Sequence, residues 1–84
     1  MGTLVKLRTL SLLLRIVGHY ERSEPVLQKD LPKMMRMRAE DLSRRLQMLE
    51  DKGLVRRVRQ GRTYLVVPTP KAMEVATGVM APRV

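Results

Sequence analysis

Residues 31–55, LPKMMRMRAEDLSRRLQMLEDKGLV, form the stretch on which the rest of the chain is organised. Leu42, Leu46 and Leu49 recur at helical spacing, and the run stops at Gly53, where a left-handed terminating residue costs little. The stripe predicts a helix over about 39–52 with one apolar face, and Glu40, Ser43, Arg44 and Gln47 fall on the opposite face. Ahead of it, Leu31, Met34 and Met35 mark a shorter helix over about 28–36, separated from the next by a tight turn. Pro32 is awkward inside that helix because it lacks an amide hydrogen and crowds the preceding turn. Either the helix starts late, with Asp30 as its cap, or it kinks at Pro32.

Downstream, VRRVRQGRTYLVV (55–67) carries β-branched residues on both sides of a glycine, with arginines at the tip, and predicts a hairpin over about 54–67. The turn is either Gln60-Gly61 or Arg59-Gln60-Gly61 with Gly61 left-handed. Arg59 and Arg62 flank the tip, and their repulsion weakens the hairpin unless an anion lies between them; a solvated, salt-screened pair is the alternative. Upstream, Pro25-Val26-Leu27 is a candidate short strand joining this hairpin. Thr69-Pro70 supplies a helix cap and a first-turn proline, so a last helix is expected over about 70–79, with Ala72, Met73, Val75 and Ala76 apolar. The first helix is expected over about 3–19. There Leu7, Leu10, Leu14 and Val17 form a stripe assigned to the core, and Val5, Leu12 and Ile16 form a second stripe left over for a partner.

The length of 84 residues suits one domain with a modest core. Seventeen Lys and Arg against eight Asp and Glu give a formal charge of +9, and six units of that excess lie between Lys33 and Arg62, which points to a polyanionic partner. There is no cysteine, so neither a disulfide framework nor a thiolate metal site is available, and a cytoplasmic location is the default expectation. Lys6, Arg8 and Arg15 interrupt the apolar N-terminal run, which argues against a signal or membrane segment. One histidine, no paired carboxylates in an apolar setting and no glycine-rich phosphate loop argue against an enzyme, and no cofactor is implied. His19 with Glu21 and Glu24 is a weak metal-ligand pattern that is hard to tell from ordinary helix-end residues. Met34, Met35, Met37 and Met48 read as gap-fillers beside leucine stripes.

Helix, tight turn, helix and basic hairpin, with DLSRRLQMLEDKGLVRRVRQGR (41–62) and TPKAME (69–74) as the most specific parts, resembles the winged-helix domain of prokaryotic and archaeal transcriptional regulators of the multiple-antibiotic-resistance repressor or arsenic-repressor type. The implied fold class is α+β, mostly α, a winged helix-turn-helix with a three-helix core, a β-hairpin wing and a C-terminal helix. The resemblance implies base-reading residues at Arg38, Ala39, Glu40, Ser43, Arg44 and Gln47, and backbone contacts at Lys33, Arg36 and Arg45. It places Arg57, Arg59, Gln60, Gly61 and Arg62 in a wing laid against the minor groove or its edges. Arg45 is equally suited to pairing with Asp41 or Glu50 on its own helix. The chain departs from the family pattern at the turn, with Arg36 where glycine is usual and Arg38 where a capping hydroxyl is usual.

These features imply sequence-specific binding of double-stranded DNA by a small regulator. A homodimer is expected through Val5, Leu12, Ile16, Met73 and Val79, which sets two recognition helices about one DNA turn, roughly 34 Å, apart. The rival reading is a winged-helix module that binds a protein of the transcription or replication machinery, and Glu40 and Asp41 at the head of the recognition helix favour it. RNA binding is weaker, since only Tyr20 and Tyr64 are available to stack on bases.

Overall fold

The first helix buries the sequence Thr9, Leu12, Leu13, Ile16 and Val17, spaced i, i+3, i+4, i+7 and i+8, the full width of one helical face. The structure, a computed structural model, describes residues 7–80. In chain order it contains α1 (Leu7–Glu21), a single 3₁₀ turn (Gln28–Asp30), α2 (Leu31–Met35), α3 (Ala39–Asp51), β1 (Val55–Gln60), β2 (Thr63–Pro68) and α4 (Pro70–Met80). The chain therefore has the expected winged-helix order, with α1 packed against α3, α4 and β2.

The two apolar stripes of α1 exchange roles relative to the sequence reading. Leu12 and Ile16, assigned above to a dimer surface, are fully buried inside the monomer, whereas Leu7, assigned to the core, is 80% exposed. Leu10 and Leu14 are only half-buried, and of the expected core stripe only Val17 is enclosed. The deciding residue is Thr9, which begins the buried face and accepts a 2.7 Å hydrogen bond from Arg45 Nη1. A polar residue with a dedicated donor is as good a core position as a leucine, and counting leucines alone turns the helix the wrong way. The rest of the core comes from Val26, Leu31, Met37, Leu42, Leu46, Leu49, Leu54, Val55, Val66, Ala72 and Ala76. Val5 lies outside the described residues.

Three helices end on the same device. A residue one or two positions past the last helical one turns left-handed, and two backbone amides return to the last turn. At Gly53 (φ 74°) the bonds are Gly53 N–H to Glu50 O and Leu54 N–H to Leu49 O, both 2.9 Å, and the buried Leu49 and Leu54 close the end. Ser23 (φ 59°) ends α1 and Arg36 (φ 55°) ends α2 in the same way, without the steric freedom of glycine. Arg36 thus carries the left-handed turn that its position requires.

Between α2 and α3 only Arg36, Met37 and Arg38 intervene, and Met37 is buried, pinning the turn to the core. Pro32 resolves as a late start. It occupies the first turn of α2, where no amide is needed, and Asp30 precedes the helix without a side-chain capping bond. Arg38 precedes α3 in extended conformation, also without a side-chain cap.

The hairpin pairs Val55 with Pro68, Arg57 with Val66, Arg59 with Tyr64 and Gln60 with Thr63. Its two-residue turn is therefore Gly61-Arg62, not either of the turns expected from the sequence. Gly61 has φ 60° and Arg62 a negative φ, the distribution in which glycine occupies the first central position of a hairpin turn. Where a short third strand was expected at Pro25-Val26-Leu27, the chain makes a single bridge between Leu27 and Leu65, with Val66 N–H donating to Val26 O at 2.9 Å, and the sheet stays two-stranded. Thr69 caps α4, its Oγ1 accepting from Ala72 N–H at 3.3 Å and donating to Gly53 O at 2.6 Å, which fastens α4 to the end of α3.

Candidate nucleic-acid interface

The apolar stripe of α3 is spent on the core, so the opposite side of the helix is left outward. Arg38, Ala39, Glu40, Ser43, Arg44 and Gln47 line one open depression there, together with Asp41 and with Gln28 from the 3₁₀ turn. All six positions expected to read bases are thus on one surface. Gln28 is a member that the sequence reading missed, because only the fold brings its turn beside α3.

Two arginines expected to touch DNA make hydrogen bonds within the chain. Arg57 stands two residues beyond the buried Val55 on β1, so it faces the same side of the hairpin. Its Nη2 donates to Glu50 Oε1 at 2.9 Å and to Gln47 Oε1 at 2.8 Å, and its Nε donates to the same Glu50 oxygen at 3.1 Å. Its side chain is only 15% exposed. Arg57 is therefore a tie between the hairpin and α3. Arg45 donates through Nε to Asp41 Oδ2 at 3.1 Å and through Nη1 to Thr9, so the ion pair within α3 that the sequence offered is formed.

Asp41 receives a second guanidinium, with Arg44 Nη2 at 3.2 Å from Oδ1. The hydrogen bond from Arg45, reinforced by the charges of Arg45 and Arg44, holds the Asp41 carboxyl below its ordinary range despite some desolvation. One of the two acids that favoured the protein-binding reading is thus neutralised locally. Arg44 keeps a side chain that is 78% exposed, while Lys33 and Arg36 are exposed on and after α2.

At the wing tip Arg59 folds back. Its Nε donates to Gly61 O at 2.7 Å, and its guanidinium lies 5.7 Å from the centre of the Tyr64 ring, with Arg57 at 5.6 Å. Arg62, Gln60 and Gly61 remain exposed.

His19 Nδ1 lies 2.8 Å from Glu24 Oε1, and Arg22 Nε donates to the same oxygen at 3.2 Å. Both bonds, His19 first, hold Glu24 below its ordinary range. Among the described residues no group of three His, Cys, Asp or Glu is placed to hold a metal, and no helix is long and apolar enough to cross a membrane.

No protein-family model and no curated protein matches the chain in sequence. In structure it is similar to a protein of Archaeoglobus fulgidus, at 18% identity and TM-score 0.82, over 90% of this chain and 84% of the other. It is similar to MepR of S. aureus in a DNA complex, at 18% identity and TM-score 0.83, over 92% of this chain and 63% of the other. A transcriptional regulator of the MarR family from Rhodococcus aligns at 24% identity and TM-score 0.77, over 92% of this chain and 54% of that one. This chain spans less than two thirds of the length of the latter two. At these identities the likeness is one of architecture, and by that architecture the chain is a winged helix-turn-helix domain of the kind found in MarR-type regulators.

Proposed function

We propose that the protein binds double-stranded DNA sequence-specifically as a small dimeric transcriptional regulator. In this reading α3 enters the major groove and the wing tip rests on the backbone or in the minor groove. The observation that carries the reading is the shared outward surface of Arg38, Ala39, Glu40, Ser43, Arg44 and Gln47, beside exposed Lys33 and Arg36, on a chain of net charge +9. The structural likeness to a regulator solved with DNA lends support.

The dimer surface in this reading is the outward stripe of α1, Leu7, Leu10 and Leu14, in place of Leu12 and Ile16. Met73 is half-buried against the core and Val79 lies beyond the described side chains, so neither carries the assignment. A second copy meeting Leu7 and Leu14 would be isologous and would call for a near-palindromic site.

The test is a titration of labelled duplex at two salt concentrations. With Arg45 and Arg57 withdrawn, Lys33, Arg36, Arg59 and Arg62 leave about four phosphate contacts per monomer, and log affinity should fall with log salt at a slope of roughly −3.6 per bound monomer. A slope near zero, or no binding at low salt, removes the DNA reading and promotes a protein partner. Sedimentation of the wild-type chain as a monomer at about 100 μM removes the dimer.

A further inference from the structure

Four side chains on α3 are acidic, and three are committed within the chain. Asp41 pairs with Arg44 and Arg45, Glu50 with Arg57, and Asp51 accepts from Gln47 Nε2 at 3.0 Å. Glu40 is the fourth. It is exposed, it lines the outward surface, and among the described residues it has no hydrogen-bond or ion-pair partner. A bare carboxylate facing a groove bordered by phosphates is repelled unless a donor meets it.

We propose, on the strength of the duplex-binding reading above, that Glu40 is a specificity-determining residue that selects cytosine at one position of each half-site. An ionised carboxylate only accepts hydrogen bonds. In the major groove guanine presents acceptors alone and thymine an acceptor and a methyl group, so both are disfavoured opposite Glu40. Adenine offers a donor at N6 but sets the acceptor N7 beside it, against the second carboxylate oxygen. Cytosine offers the N4 amino group with its own C5–H on one side and only the paired guanine O6 on the other, whereas adenine N6 lies between N7 and the paired thymine O4, so cytosine meets the carboxylate with the least repulsion.

The surroundings sharpen the assignment. Arg44 lies one turn further along α3, about 6 Å, or roughly two base-pair steps, and its exposed guanidinium suits guanine O6 and N7. Gln47 is held by Arg57 at its carbonyl and by Asp51 at its amino group, so it presents fewer free polar groups to a base than it would unpaired. Each half-site then carries a cytosine selected by Glu40 near a guanine selected by Arg44.

The experiment selects bound sequences from a random duplex library with the wild-type chain, Glu40→Gln and Glu40→Ala, each checked for folding by thermal melting. The expected result is one enriched cytosine in the wild-type sites, a shift at that position toward adenine in Glu40→Gln, since a glutamine pairs with adenine N6 and N7, and a flat position in Glu40→Ala. Exchanging that cytosine should weaken wild-type binding roughly 5- to 150-fold. A role confined to the helix dipole moves the melting temperature and leaves every base preference in place, and that outcome overturns the proposal. So does duplex binding with sites identical in all three proteins, which leaves the DNA reading standing. Absence of duplex binding by the folded wild-type chain overturns both.

Discussion

Arg57 on β1 reaches Glu50 on α3 with two nitrogens on one oxygen, Nη2 at 2.9 Å and Nε at 3.1 Å, so a single side chain joins the wing to the recognition helix. The same guanidinium also orients Gln47 and approaches Gln28 Oε1 at 3.4 Å.

Removing that tie should be felt in stability first. Arg57→Ala leaves the half-buried Glu50 without its cation and is expected to cost about 1–2 kcal/mol, read from urea unfolding. Arg57→Lys keeps the charge but not the two-nitrogen geometry and should recover less than half of the loss. Full stability in Arg57→Ala would show that the wing is held by its apolar face alone.

Base reading and anchoring separate by substitution. Arg44→Ala is expected to weaken the preferred site by about 1–3 kcal/mol and relax preference at one base pair. Arg62→Ala should weaken preferred and random duplex about equally and lower the salt slope by about 1. Competition gel shifts distinguish the two patterns, and equal losses on both duplexes for Arg44→Ala would remove it from the reading set.

The corrected orientation of α1 makes its own prediction. Leu12→Ala and Ile16→Ala each open a cavity in a fully enclosed site and should cost about 2–5 kcal/mol. Leu7→Glu, at a position 80% exposed, should change monomer stability by less than about 0.5 kcal/mol while weakening self-association. Calorimetry with sedimentation reads both, and a folded Leu12→Glu monomer would restore the original assignment of the stripes.

Arg36→Gly should show a trade between stability and binding. Glycine relieves the left-handed backbone at φ 55°, a gain of about 1–2 kcal/mol, offset by about 0.5–1 kcal/mol of added unfolded-state freedom. The variant is expected to melt slightly higher and bind duplex more weakly, since one exposed cation is lost.

Acid sensitivity follows from Asp41 and Glu24, whose folded pKa values are both lowered by their hydrogen-bonded partners. Such groups contribute stability that is present above their ordinary values of 3.8 and 4.5 and is lost as pH falls through the lower folded values. Asp41→Asn should therefore flatten the acid limb of the stability curve, and an unchanged limb would show the pairs to be without thermodynamic weight.

The helices and the wing were legible in the sequence because their signals are local. Leu42, Leu46 and Leu49 define one face of α3 whatever packs against it, Gly53 and Thr69-Pro70 punctuate by backbone geometry, and alternating β-branched residues around Gly61 mark a hairpin. The outward face of α3 was legible for the same reason, as the complement of the leucine stripe. Tertiary structure decided the rest. Which stripe of α1 is inside depends on Arg45 reaching Thr9 across 36 residues, and the hairpin turn moved to Gly61-Arg62 because its register brings Val55 and Val66 together over the core. Arg45 could be read as a partner of Asp41 on its own helix, but Arg57 looks like any other cation in the chain and is turned inward by Glu50, a carboxylate on α3 that the fold sets within hydrogen-bond reach. A charge's availability to a partner is a property of its neighbours in space, and local sequence records only its neighbours along the chain.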